Sequence, residues 1–417
     1  MNKGLKLLPV VLAAGMAIGA TAVRAEGIEY HGYTRIQAGG TSEGGNLQCF
    51  QGGWPVRAKY RLGNECDNYS EHSLGLGFGD TNDVWAKYHL TLALQDKGSE
   101  PDNTNGDSFN FLHRENYFEM GGFFGAGAME NATVWVGKRF YNRHDIHMND
   151  FYYWTNNGVG AGIQEIKAGP TKLAFAYLQN SPNANGVNDV NAKRYAMRFY
   201  DISLTDSTKF EGELVAIQGS SADPTAKKGS GQSLFLQVSQ NGVLGGFNNV
   251  ALVIGKGLGG DGFEWLPTYA GGGDGASGAK SMRVHDHLYF DFKGTNITGT
   301  ATASYAEYKP AGGGKLTWTS FGIRPQYNFS KNFSVAVEYG HDEGKTAIPG
   351  EPTKKPKLDK LTIAPQLALS PGAWARPVLR AFVTQAKWNA DAGTQANGVF
   401  GTKTSGTTFG VQAEAWW

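Results

Sequence analysis

Residues 28–39 read IEYHGYTRIQAG, and the face each side chain takes decides the fold. In an extended chain successive side chains point to opposite faces. Ile28, Tyr30, Gly32, Thr34 and Ile36 then share one face, while Glu29, His31, Tyr33, Arg35 and Gln37 share the other. One face carries no charge. The other carries a carboxylate, a guanidinium and, among them, the ring of Tyr33.

The same period-two alternation recurs along most of the chain, and helical periodicity is scarce. Leu288, Phe290 and Phe292 fall together in HLYFDFKG, and Leu173, Phe175 and Tyr177 in KLAFAYLQ. Phe333, Val335, Val337 and Tyr339 form one side of FSVAVEYG; Leu361, Ile363, Leu367 and Leu369 form one side of KLTIAPQLAL. Opposite faces are small or polar. Turn and loop signals such as GDTND, SPNANGVND and KPAGGGK separate the runs. About sixteen to eighteen runs of roughly 8 to 11 residues result, the length of a tilted membrane strand. No internal repeat or domain boundary interrupts them.

Two architectures generate this pattern: a soluble β-sandwich or barrel with its apolar faces inside, and an outer-membrane barrel with apolar faces toward lipid and a polar lumen. Mean hydropathy is negative despite the many strands, so there is no second layer to fill a soluble core. Aromatics recur near strand ends, as at Tyr305, Tyr308, Phe329 and Phe333, where interfacial girdles would lie. The N-terminus reads as an export signal. Lys3 and Lys6 precede an apolar run, Leu7 to Ala20, too short for a good anchor, and Val23-Arg24-Ala25 has small residues at −3 and −1. Cleavage is expected after Ala25, leaving 26–417 as one barrel domain. The expectation is therefore all-β: a transmembrane antiparallel barrel of about eighteen strands in the outer membrane. A formal net charge of +1 gives no field for nucleic acid. The two cysteines, Cys49 and Cys66, lie in the exported part, where a disulfide can form.

Parity then locates rings on polar faces. Tyr69 and Glu71 oppose Leu74, Leu76 and Phe78; Arg380, Phe382, Thr384 and Trp388 oppose Leu379, Ala381 and Val383. Gln412, Glu414 and Trp416 oppose Phe409, Val411 and Trp417, and Phe247 shares the face of Asn249 against Val250, Leu252 and Ile254. Rings beside charges in a water-filled barrel suit sugars, whose C–H faces lie on aromatics and whose hydroxyls take bonds from charged groups. A row of rings binds without tight capture at one point, as conduction requires. The stretch GKRFYNRHDIHMNDFYYW, residues 137–154, fits a loop folded into the lumen, placing Arg143, Asp145 and Asp150 at a narrow point beside Tyr152. Irregular backbone is tolerated where it lines an aqueous cavity.

In YHGYTRIQAGG, KYRLGNECDNYSE, VWVGKRFYNRHDIHMNDFYYW, FGIRPQYNF, WARPVLRAFVTQAKW and the terminal WW, the chain resembles the maltoporins, trimeric outer-membrane sugar porins. The likeness is strong over residues 26–170 and 316–417 and looser between. It implies an eighteen-stranded barrel, three copies per assembly, an inward constriction loop, and passive diffusion of maltose and maltodextrins without a cofactor. It implies an aromatic slide of Tyr33, Tyr69, Phe247, Trp388 and Trp416, a constriction tyrosine at Tyr152, and a polar track of Arg35, Arg61, Glu71, Arg114, Arg143, Asp145 and Asp150. It supports a Cys49–Cys66 bridge in the first long loop and makes the outer loops candidates for phage attachment. One departure stands out: the family's second-loop tryptophan is missing from DKGSEPDNTNGDSFNFLHRE, where Phe109 and Phe111 are the available substitutes.

Other chemistries find less support. His144 and His147 in HDIH have the spacing of some metal pairs, but on a strand they point to opposite faces. There is no GxSxG nucleophile, and Asp145 and Asp150 beside Arg143 should stay ionised rather than supply a glycosidase acid. The alternatives kept are a general diffusion porin and a channel for another oligosaccharide such as sucrose.

Overall fold

The alternation read from the sequence becomes a closed wall. The computed structural model describes residues 25–79, 83–96, 109–180, 190–260 and 273–417. Residues 1–24 of the proposed export signal 1–25, and the second-loop residues 97–108, lie outside them. The strands are β1 (Ala25–Thr41), β2 (Asn68–Gly79), β3 (Trp85–Asp96), β4 (Phe109–Gly121), β5 (Thr133–Arg139), β6 (His144–Ile146), β7 (Phe151–Trp154), β8 (Gly158–Ala168), β9 (Thr171–Asn180) and β10 (Asn191–Ser203). They continue as β11 (Thr208–Ser220), β12 (Ser230–Asn241), β13 (Phe247–Gly257), β14 (Lys280–Asp291), β15 (Ile297–Lys309), β16 (Lys315–Asn328), β17 (Phe333–Ala347), β18 (Lys357–Ala368), β19 (Val378–Trp388) and β20 (Ser405–Trp416).

All but β6 and β7 join one eighteen-stranded antiparallel sheet, each strand beside its chain neighbours, and β1 pairs with β20 to close it. Closure satisfies every strand edge, which a sheet surrounded by hydrocarbon requires. Among the described residues no helix is long and apolar enough to cross a membrane. Most long connections, such as 42–67, 140–157 and 389–404, leave one end of the barrel, and most short turns, such as 169–170, 204–207 and 242–246, leave the other.

The outer wall carries the apolar parity. Ile28, Ile36, Leu361, Ile363, Leu367, Leu379, Val383 and Val411 are all exposed on it, while Arg35, Thr362, Arg380, Thr384 and Gln412 are buried on the inner face. Phe290 is an exception. Its parity is outward, yet it is buried, because its ring lies over Gly299 of β15 and against Phe292.

Two segments fill the interior. The stretch between β5 and β8, containing the β6–β7 hairpin, lies against inner faces. Phe151 packs on His285 and Trp318 at centroid distances of 5.2 and 5.0 Å. The Tyr153 hydroxyl donates to Gln237 at 2.6 Å, and Trp154 Nε1 donates to Glu213 at 2.8 Å. The first long loop, between β1 and β2, enters as well. A disulfide joins Cys49 to Cys66, and within the loop it closes, the Tyr60 ring lies on two glycines. A Cβ at Gly322 or Gly340 would stand 2.1 or 2.3 Å from its ring, so only glycine permits that approach. The Tyr60 hydroxyl meets Ser320 at 2.6 Å, and the Leu62 amide donates to Glu338 at 3.0 Å. The insertions then pair with each other: the Lys59 amide donates to the Asn149 carbonyl at 2.9 Å, and that of Arg61 to Met148 at 3.1 Å.

Candidate functional site

A row of rings follows the inner wall from the long-loop half to the short-turn end. Tyr69, at the start of β2, is 6.2 Å from Tyr33 in mid-β1. Tyr33 stands directly opposite Trp416 across the β1–β20 ladder. Trp416 is 6.4 Å from Trp374, Trp374 is 5.8 Å from Tyr289, and Tyr289 is 5.7 Å from Phe247. These spacings allow one flat ligand to pass from ring to ring.

Four of the five rings expected for the slide, Tyr33, Tyr69, Phe247 and Trp416, therefore come together. Trp388 does not join them. It has the inward parity, but it sits at the long-loop end of β19, 6% exposed, packed on Phe50 and Phe400 at 5.7 and 5.9 Å. The position in the row goes instead to Trp374, in the turn before β19, where no strand parity could point to it. Tyr289 was legible, since it lies on β14 opposite the face set by Leu288 and Phe292. His147 flanks the row too, 5.6 Å from Trp374 and 5.7 Å from Trp416.

A charged network runs beside the rings. Glu414, inward-facing on β20, is its hub. It accepts the Tyr33 hydroxyl at 3.0 Å and pairs with Arg376 at 2.7 Å, Arg380 at 3.1 Å and Arg61 at 3.6 Å. Arg61 donates to the Tyr33 hydroxyl at 2.5 Å and stands 4.0 Å from Asp150; Arg35 pairs with Glu65 at 3.1 Å and with Asp67. Arg376 lies over the Trp416 ring at 4.1 Å. Glu65 belongs to the first long loop, outside the strands. Burial alone would raise its carboxyl, but Arg61, Lys59 and Arg35 outweigh that and hold it below the ordinary carboxylate value.

The remaining track residues form a second group. Glu71 accepts the Tyr69 hydroxyl at 2.7 Å and faces Arg114 at 3.5 Å. Arg114 and Arg143 flank the Phe140 ring at 5.0 and 4.0 Å, and Arg143 also covers Tyr152 at 4.8 Å. Asp145 is exposed to the interior. Polar groups thus alternate with rings on both the wall and the inserted segment, an arrangement that offers hydroxyl partners along a path. Phe111, at the start of β4, points outward and is 61% exposed, so it lines no part of this chain's own interior.

A family model described as LamB porin matches residues 28–417. Solved structures similar in fold include OmpT of Vibrio cholerae in its trimer form, with 8% identity and a TM-score of 0.42, covering 94% of this chain and 100% of that one. OpdK of Pseudomonas aeruginosa has 9% identity and a TM-score of 0.47, with 94% and 100% covered. OccK2 (OpdF) of Pseudomonas aeruginosa, in complex with glucuronate, has 10% identity and a TM-score of 0.49, with 94% and 98% covered.

Proposed function

Because the chain belongs to the LamB porin family, we propose that this outer-membrane channel is selective for maltose and maltodextrins and passes them by facilitated diffusion. The observation that carries the reading is the ring row from Tyr69 to Phe247 with Glu414 and its arginines alongside. Each glucosyl unit would lay its C–H face on a ring while its hydroxyls exchange partners along the charged network. Gradual exchange keeps the ligand bound at every step without a deep well, so it can leave as well as enter. Arg143, Asp145, Asp150 and Tyr152 on the inserted segment would narrow the path and set chain orientation. Export through residues 1–25, assembly of three copies, and outer loops open to phage attachment complete the proposal.

The test is ion current through the purified protein in a planar bilayer during titration with maltotriose, with sucrose for comparison. Saturable block by maltotriose, stronger than by sucrose, is expected. Current indifferent to both sugars would make this a general diffusion porin; stronger block by sucrose would assign it another oligosaccharide.

A further inference from the structure

At the short-turn rim the two strands that flank β9 carry bulges. The registers shift between Ile163 and Ile166 on β8 and between Phe199 and Ile202 on β10. Inside them Glu165 and Asp201 adopt φ of 63° and 60°, a region that non-glycine residues enter rarely and that bulges use to re-aim side chains. The two bulges are tied together. The Glu165 amide donates to the Tyr200 hydroxyl at 2.9 Å, and that hydroxyl donates to the Glu165 carboxylate at 2.8 Å. Lys172 reaches Glu165 at 2.8 Å and Asp201 at 3.5 Å, and Lys209 reaches Asp201 at 2.5 Å. Arg198 pairs with Glu211 at 2.7 Å and covers the Tyr200 ring at 4.4 Å.

Of these groups Lys172, Arg198, Tyr200, Asp201, Lys209 and Glu211 border a cleft of about 260 Å³. Its place matters. Ser239, on its floor, pairs with Asn249 of β13, two residues from Phe247 on the same inner face. Glu211 also takes a bond from Gln237 at 3.3 Å, and Gln237 holds Tyr153 of the inserted segment. The cleft therefore lies between the insertion and the rim, one strand from the last ring of the row. Lys172, Arg198 and Lys209 line the cleft with Asp201 and Glu211, and Glu165, outside the lining, pairs with Lys172 at 2.8 Å, so each cation already holds a carboxylate and none is left over for a phosphate or a carboxylate ligand. Paired charges with a ring among them fit a neutral polyol, whose vicinal hydroxyls can insert into the pairs. We infer that this cleft is an exit-side subsite for a glucosyl unit, receiving the leading end of an oligosaccharide as it leaves Phe247. The inference rests on the sugar-channel reading and deepens it.

The experiment uses the full protein in bilayers where channels insert in one orientation, with maltotriose added to one chamber at a time. Arg198→Ala and, separately, Lys172→Met should lower the association rate from the short-turn face about fivefold, the effect of losing one stacked or hydrogen-bonded contact. Association from the long-loop face should persist, and that block reports a folded channel. Short-turn association at the wild-type rate in both variants, or an equal fall from both faces, overturns the inference alone. A wild-type channel that maltotriose blocks from neither face overturns the sugar-channel reading and this inference with it.

Discussion

The Tyr33 hydroxyl donates to the Glu414 carboxylate at 3.0 Å, across the seam where β1 closes the barrel on β20. The bond holds the ring by its edge, so a face stays available to a ligand. It also joins the aromatic row to the charged network, because Glu414 is held in turn by Arg376 and Arg380.

Tyr33→Ala should weaken maltotriose block about tenfold, and Tyr33→Phe by less than about threefold, since the ring supplies more contact than the hydroxyl. Titration of the bilayer current measures both. Equal losses would mean that the hydroxyl, rather than the ring face, is what the sugar uses.

Trp374 and Trp388 should behave oppositely. Trp374→Ala should raise the half-blocking maltotriose concentration about three- to tenfold, as loss of one stacking contact implies. Trp388→Ala should leave block near wild type but lower stability by about 3–5 kcal/mol, because it opens a hole between Phe50 and Phe400. Block titrations and thermal unfolding of the two variants separate the roles; weakened block with unchanged stability in Trp388→Ala would reverse them.

Tyr152→Ala should widen the narrow point and raise single-channel ion conductance, with Arg143 losing the ring it covers at 4.8 Å. Conductance equal to wild type would place the limiting width elsewhere, and the first-loop residues facing the hairpin, Lys59 and Arg61, would be the next to test.

Reduction of Cys49–Cys66 frees the first long loop, whose closure stabilises by about 3 kcal/mol for a loop of this size. A lower unfolding temperature after reduction is expected, together with noisier current as Tyr60 leaves Gly322 and Gly340 more often. An unchanged melting curve would show that the Tyr60 and Leu62 contacts suffice alone.

Glu65 sets a pH dependence of definite sign. Its folded-state carboxyl is held below the ordinary value by Arg61, Lys59 and Arg35 against the effect of burial. The stability it contributes is fully present above the unfolded carboxylate value of about 4.3 and is lost as pH falls from there toward the folded value. The difference in unfolding temperature between wild type and Glu65→Gln should be largest above about pH 5 and shrink with acidification. A difference that grew below pH 4 would mean that the carboxyl is not held ionised.

Strand parity carried the reading far. A wall one strand thick between lipid and water gives each side chain only two destinations, and the period of two assigns them. That is why the sequence alone determined the barrel, the lipid face of Ile28 and Ile36, and the inward rings Tyr33, Tyr69, Phe247 and Trp416. Parity names a face and leaves the height along the strand open. Trp388 shares the face of Arg380 but ends beside loop residues Phe50 and Phe400, at the opposite end of β19 from the ring row. Trp374 lies in an irregular turn, where parity has no meaning, and tertiary packing alone brings it between Trp416 and Tyr289. The path of the two insertions across the interior was likewise decided by tertiary structure, because it depends on contacts such as Tyr60 on Gly322 and Gly340, which lie hundreds of residues away in the chain and leave no local pattern.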